Sequence, residues 1–376
     1  KSTLFEGHAA LMNDGRVIYD RWEYIDRNFG DAQGLWTMNP DGTKHAIYYG
    51  NNTGSPGGII DPRPIPGSSY MLCIFGSCHD RPWGALALLD RSRGVDGKES
   101  VVKIWPEHAI DHMGTGNWDE FMKLDVRYED PFPLSEDHFL VSKSIFLKKN
   151  KGHHPAETKM GIYVVGFDGR EKLLYEHDSL SCFDPMPLAP RYRPSEIPTA
   201  RKFDASPGVF YVQNVYEGTH MEQVEQGAVK YLRVIESPEK RTYTKEAWGG
   251  QGQQAPGVNW HSFEIKRVLG TVPVEDDGSA HFEAPSGKFL YFQLLDEQKK
   301  MVQSMRSGVF IHPGETNGCI GCHEDRLSAP VNITRMPKAL RRAPDQLSFR
   351  EAETAVFSYV ETVQPLFDKH CLSCHD

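Results

Sequence analysis

Two short runs near the carboxyl end carry the residue types best able to do chemistry. They are Cys319-Ile320-Gly321-Cys322-His323 and Cys371-Leu372-Ser373-Cys374-His375. In each run two thiols stand three residues apart and a histidine follows at once. Thiols at that spacing fall on one side of a helical turn, where they can trap the two vinyl groups of a porphyrin as thioethers. The histidine then reaches the iron from the same face. The pattern predicts covalent haem c at one or both runs.

The same Cys, Cys and His set also supplies three of the four ligands of a structural zinc, which is the competing reading at Cys319, Cys322 and His323. A fourth ligand is then sought in Cys78, His79 or His312. If iron is held there, Met305, Met336 and His312 are candidates for its far side. At the second run the far-side ligand is expected beyond Asp376. Cys73 and Cys78 with His79 form a widened version of the motif inside a strand pattern, which favours packing or a metal cluster over haem. His153-His154 lies in a lysine-rich stretch and reads as a solvated loop.

These histidines and thiols must be held by a sizeable scaffold. The chain has 376 residues, 39% hydrophobic and 25% charged, which is ordinary globular composition with room for two or three cores. A net charge of -9 argues against a nucleic-acid surface, since phosphate binding needs a basic face. No apolar run reaches the ~20 residues needed to cross a bilayer. Two runs take four of the seven cysteines, and Cys73, Cys78 and Cys182 are an odd remainder, so no complete disulfide framework is expected. Covalent haem is attached outside the cytoplasm, so the expected location is a bacterial periplasm or another extracytoplasmic space. The start at Lys1 and the stop at Asp376 read as a fragment whose leader has been removed.

The first half repeats the form D-P-x-P-[IL], at Asp61 to Ile65, Asp130 to Leu134 and Asp184 to Leu188, with a degenerate copy starting near Gly7. Asp-Gly turns between apolar alternations, at Asp41-Gly42 and Asp168-Gly169, mark hairpins. Repeats of roughly 55 to 70 residues with several short strands each suit propeller blades. The fold is therefore expected to be mainly β: propeller-like blades over 1–190, a sandwich-like middle domain over 191–330, and the start of an α-helical cytochrome c domain over 331–376. Asp277-Gly278 is expected to turn a hairpin over 271–282. The apolar spacing over 348–369 predicts an amphipathic helix leading into Cys371. The repeated aspartates admit two readings: a ring that binds a cation or substrate, or local caps in which Asp before Pro bonds its own turn.

The chain also resembles the hydrazine synthase α family. The matching stretches are 35–42, 59–67, 260–263, 270–280, 305–307, 313–316 with 319–324, and 363–365 with 371–376. The resemblance implies a propeller, a middle domain holding one haem and a C-terminal domain holding another. It further implies a catalytic middle haem with a tyrosine ligand from just after the motif, and a zinc on the motif histidine. Here Glu324-Asp325-Arg326-Leu327 follow the motif, so the hydrazine-forming reaction is not carried over. The expectation is an exported electron-transfer protein, an oxidoreductase if the middle metal site reacts, working with a redox partner or other subunits. The alternative is a propeller scaffold with structural zinc at Cys319, Cys322 and His323, with Cys78 and His79 as candidate co-ligands.

Overall fold

The computed structural model describes residues 5–22, 33–50, 52–79, 82–148, 157–218, 220–238, 266–322, 335–348 and 359–372. The chain is mainly β, as expected. In the first half, β1 (Phe5–Leu11), β2 (Val17–Trp22), β3 (Gln33–Met38) and β4 (Ala46–Tyr49) form a four-stranded sheet in chain order. A second meander runs through β5 (Gly58–Pro64), β6 (Tyr70–Gly76), β7 (Gly84–Asp90) and β8 (Val101–Trp105). A third runs through β9 (Tyr128–Pro133), β10 (His138–Lys148), β11 (Glu157–Gly166) and β12 (Glu171–Tyr175). Between these two meanders, β7 and β9 pair only at Gly84 and Tyr128, so each behaves as a separate antiparallel unit.

The units pack because their central strands are apolar throughout. Residues 71–76 of β6 and 84–89 of β7 are all buried. Successive side chains in a strand point to opposite faces, so such runs belong to a sheet covered on both sides. One face joins Leu35, Ile59, Phe75 and Phe121, and the other joins Leu72, Trp105, Phe139 and Val165. Each fully buried large side chain contributes about 1.5–3 kcal/mol.

Residues 176–207 carry no helix or strand. The second β region then forms two small sheets. One has the order β16 (Ala280–Ala284), β13 (Gly208–Val212), β20 (Thr316–Cys319). The other has β15 (Arg267–Pro273), β14 (Tyr231–Glu236), β17 (Phe289–Leu295) and β18 (Met301–Ser304), with the short β19 (Val309–Phe310) beside β17. Phe210, Phe282 and Phe292 meet across these sheets with centroids 5.2 to 5.9 Å apart.

The expected hairpin over 271–282 is corrected here. Asp277-Gly278 does make a tight turn, with Gly278 N–H donating to Glu275 O at 2.9 Å. Its two arms, however, enter different sheets, because β15 pairs β14 and β16 pairs β13. An Asp-Gly turn sets the local reversal but not the partner of each arm. The predicted terminal helix is seen in its last part, as a π turn over Tyr359–Val363 and the helix α1 (Gln364–His370). Pro365 sits at its first turn, where no N–H is needed, rather than near its end. The Gly- and Gln-rich stretch 249–257 lies outside the described residues. Among the described residues no helix is long and apolar enough to cross a membrane.

Candidate functional site

The first paired-thiol run begins where β20 ends. β20 lies parallel to β13, with Tyr211 opposite Gly318 and Val212 opposite Cys319. The loop beyond it is held by backbone bonds to the chain leaving β13. Gln213 N–H donates to Cys319 O at 2.9 Å, Asn214 N–H to Ile320 O at 3.0 Å, and Cys322 N–H to Glu217 O at 2.8 Å. Two glycines make that approach feasible. A Cβ on Gly318 would fall 2.1 Å from the Tyr211 ring, and one on Gly321 would fall 2.3 Å from Glu217 O. Cys319 and Cys322 are half-buried and pack on the apolar cluster of the second β region, of which Val212, opposite Cys319, is a member. His323 lies outside the described residues.

The approach to this loop is clamped by the first β region. The buried Glu315 carboxylate accepts from Lys44 N–H at 2.7 Å and from His312 N–H at 2.9 Å. Lys44 Nζ bonds Thr316 O and reaches Asn317 Oδ1 at 3.1 Å. Arg21 is only 1% exposed, so its charge needs strong partners. It donates to Gly308 O at 3.0 Å and lies over the rings of Trp36 and Phe289.

His312, a candidate metal ligand by sequence, is placed in this junction. Its Nε2 is 2.8 Å from Gly42 O, so that nitrogen donates to the carbonyl. Burial and then the Arg201 charge lower its pKa. Nearby His45 is pushed down to about 3, by burial first and the Arg21 charge second, and its Nδ1 is 2.7 Å from the Tyr19 hydroxyl. Both imidazoles are therefore neutral structural groups at neutral pH. Met305 is partly buried and packs against the second core, and Met336 is exposed.

Cys78 and His79 are held within the first β region. Cys78 is buried two residues past β6, where its Sγ accepts from Gln33 Nε2 at 3.6 Å and its N–H donates to Trp118 O at 3.0 Å. The His79 ring is 2.7 Å from the Asp119 carboxylate. Cys73 is fully buried inside β6, and burial raises its thiol well above the usual range. Among the described residues no three His, Cys, Asp or Glu side chains stand where one metal ion could be held.

At the second run, Cys371 caps α1 with its N–H donating to Phe367 O at 2.8 Å. Cys374 and His375 lie outside the described residues. Tyr359, Val360, Leu366, Phe367 and Leu372 are all exposed around this short helix. Together the structure defines a mainly β chain with one paired-thiol loop after a parallel strand and a further cysteine, Cys371, at the end of a short helix.

That class matches a known group of proteins. Residues 227–324 match the model of the hydrazine synthase alpha subunit middle domain. The chain is 20% identical over 306 residues to hydrazine synthase subunit alpha of Kuenenia stuttgartiensis, covering 68% of this chain and 36% of that protein. It superposes on a chain of the solved Kuenenia stuttgartiensis hydrazine synthase with a TM-score of 0.71 at 18% identity, covering 100% of this chain and 56% of that one. The chain is thus hydrazine synthase alpha-like, and spans about half or less of the length of the proteins it matches.

Sequence reasoning found the thiols but missed what holds them. Tyr211, Asn214 and Glu217 carry no motif of their own. The available signal was Gly318 and Gly321, since glycine in or beside a strand marks a close backbone approach.

Proposed function

We propose that this chain is an exported c-type haem protein that transfers electrons, built on a propeller-like first region and a sandwich-like middle region. Cys319, Cys322 and His323 would hold one haem, and Cys371, Cys374 and His375 a second. Bound haem supplies one-electron chemistry at a potential set by its ligands and surroundings. The chain's own residues anchor and shield it. The 213–217 backbone fixes the first thiol pair, and the apolar cluster beneath it offers a low-dielectric wall. The exposed apolar side chains around Cys371 are the surface a second porphyrin would cover.

The observation that carries this reading is the half-buried pair Cys319 and Cys322 beside an apolar core, on a loop pinned by three backbone bonds. The donor set suits either haem or zinc. The other residues advanced for zinc, Cys78, His79 and His312, are engaged elsewhere, which favours haem. A redox partner protein or companion subunit would complete the electron path.

The test is mass spectrometry of protein matured in a haem-attaching periplasm. Wild type should carry two covalent haem increments, Cys319→Ala with Cys322→Ala one, and Cys371→Ala with Cys374→Ala one. Zinc retained at the first site, with a single haem increment in wild type, would replace this reading with the scaffold one.

A further inference from the structure

The third meander carries a recess that the haem reading does not use. Its volume is about 540 Å³, within the range of small-molecule sites. β10, β11 and β12 lie side by side, with His138 opposite Gly166 and Lys172 opposite Val164. Side chains alternate along a strand, so His138, Val164 and Lys172 share one face. Phe139, Val141 and Val165 fill the core on the other. The hollow opens at Gly166, which has no side chain to place between His138 and the turn closed by Arg170. A Cβ at Gly166 would meet Asp168 Oδ1 at 2.7 Å.

The charges around this hollow fall into two groups. Arg170 is paired with Asp168 at 2.5 Å, and Glu171 with Tyr128 and Lys143. Asp137 and Lys172 are left over: among the described residues neither side chain forms a hydrogen bond or an ion pair. Phe167 is 38% exposed and stands beside Asp137, whose carbonyl accepts from the Phe167 N–H at 2.8 Å. The Trp105 ring meets the Phe167 ring edge-on, with centroids 6.3 Å apart, and steadies it from the core side. Two strand spacings of about 4.8 Å and two residues of about 3.3 Å put the His138 and Lys172 Cα atoms about 12 Å apart. Asp137 lies one residue beyond His138. With the reach of the lysine side chain, the two unpaired charges serve a span of roughly 10 Å, the length of three extended residues.

We infer that this recess binds a short zwitterionic peptide of about three residues, its ammonium on Asp137 and its carboxylate on Lys172. The Phe167 ring receives an aromatic side chain at the amino end, where an offset or edge-on ring pair is favourable. Val164 and Gly166 form the floor under the middle of the peptide. A free amino acid carries both charges on one carbon and reaches only one end. A ligand with a single charge leaves either Asp137 or Lys172 unmatched. Binding involves no covalent step, and the inference is independent of what the thiols bind.

The test is NMR titration of phenylalanyl-alanyl-alanine with the matured full chain at pH 7 in ~150 mM salt, where a Debye length of ~8 Å screens loose surface attraction. One site is expected, with Kd on the order of 10⁻⁴ to 10⁻³ M, since partly exposed charge pairs are worth little each. N-acetylating the peptide should weaken binding to wild type about two- to fivefold and leave binding to Asp137→Asn unchanged. Amidating its carboxyl end should do the same for wild type and leave Lys172→Gln unchanged. Val164→Phe, which fills the floor, should abolish binding. All three positions lie on the recess surface, and unchanged melting temperatures verify that the variants are folded. No binding by wild type at 10-fold above the expected Kd of ~10⁻³ M overturns the inference. So does a blocked peptide that binds wild type as tightly as the free one, or undiminished binding by Val164→Phe.

Discussion

Gly321→Ala tests whether the first thiol loop depends on its close approach to the chain leaving β13. The new Cβ would stand 2.3 Å from Glu217 O and 2.6 Å from Glu217 Cβ. Neither is the end of a flexible side chain, so one backbone must move by about 1 Å to restore van der Waals contact. The Cys322 to Glu217 bond and the Asn214 to Ile320 bond join those same two backbones. Losing one costs about 0.5–1.5 kcal/mol, and overpacking adds about 1–3. We therefore expect about 2–3 kcal/mol of destabilisation, a fall of roughly 3 °C in Tm for a chain of this size. Displacing Cys322 should also lower covalent haem content at the first site. Differential scanning calorimetry and haem absorbance measure the two effects. The control is Gly54→Ala, whose Cβ would meet nothing closer than 3.5 Å. If Gly321→Ala melts with wild type and carries full haem, the loop is not held as argued.

Three further outcomes follow from the same geometry. Arg21→Met should cost about 2–3 kcal/mol in denaturant unfolding, through loss of the Gly308 carbonyl bond and the stacking on Trp36; an unchanged midpoint would show that this junction is not stabilising. Glu315→Ala leaves the Lys44 and His312 N–H groups without their acceptor and should cost about 2–4 kcal/mol, detectable as earlier proteolysis near 312–318. Burial raises Glu129 from 4.5 to about 8, so the folded chain keeps a proton that the unfolded chain has released between those values. Stability should therefore fall as pH rises through that window, and Glu129→Gln should flatten the decline. Asp61, raised to about 6, and Asp130, also raised, act in the same direction.

Much of the strand pattern was legible because its signals are local. The turn at Asp41-Gly42 lies between β3 and β4, and the one at Asp168-Gly169 between β11 and β12, as the alternation predicted. What lay hidden was pairing over distance. Nothing in 271–282 reveals that its two arms join different sheets, since that choice is made by β13 and β14 far upstream. The parallel pairing of β20 with β13 was equally silent, because 316–319 is too short and polar to read as a strand. The site followed the same rule. Cys319 and Cys322 announce themselves by spacing, whereas Glu217 acts through its backbone carbonyl, which any residue could supply. For Asp61, Asp130 and Asp184 the repeat was visible but its use was not. Local capping and long-range clustering write the same Asp-Pro sequence, and only the Asp184 to Asp130 bond separates them.

The central claim is that iron porphyrin is covalently bound at both thiol pairs. Pyridine haemochrome absorbance of periplasmically matured protein, set against its protein concentration and zinc content, tests it most directly. The account predicts two haems and no zinc per chain. A colourless protein holding zinc at its cysteines would contradict it.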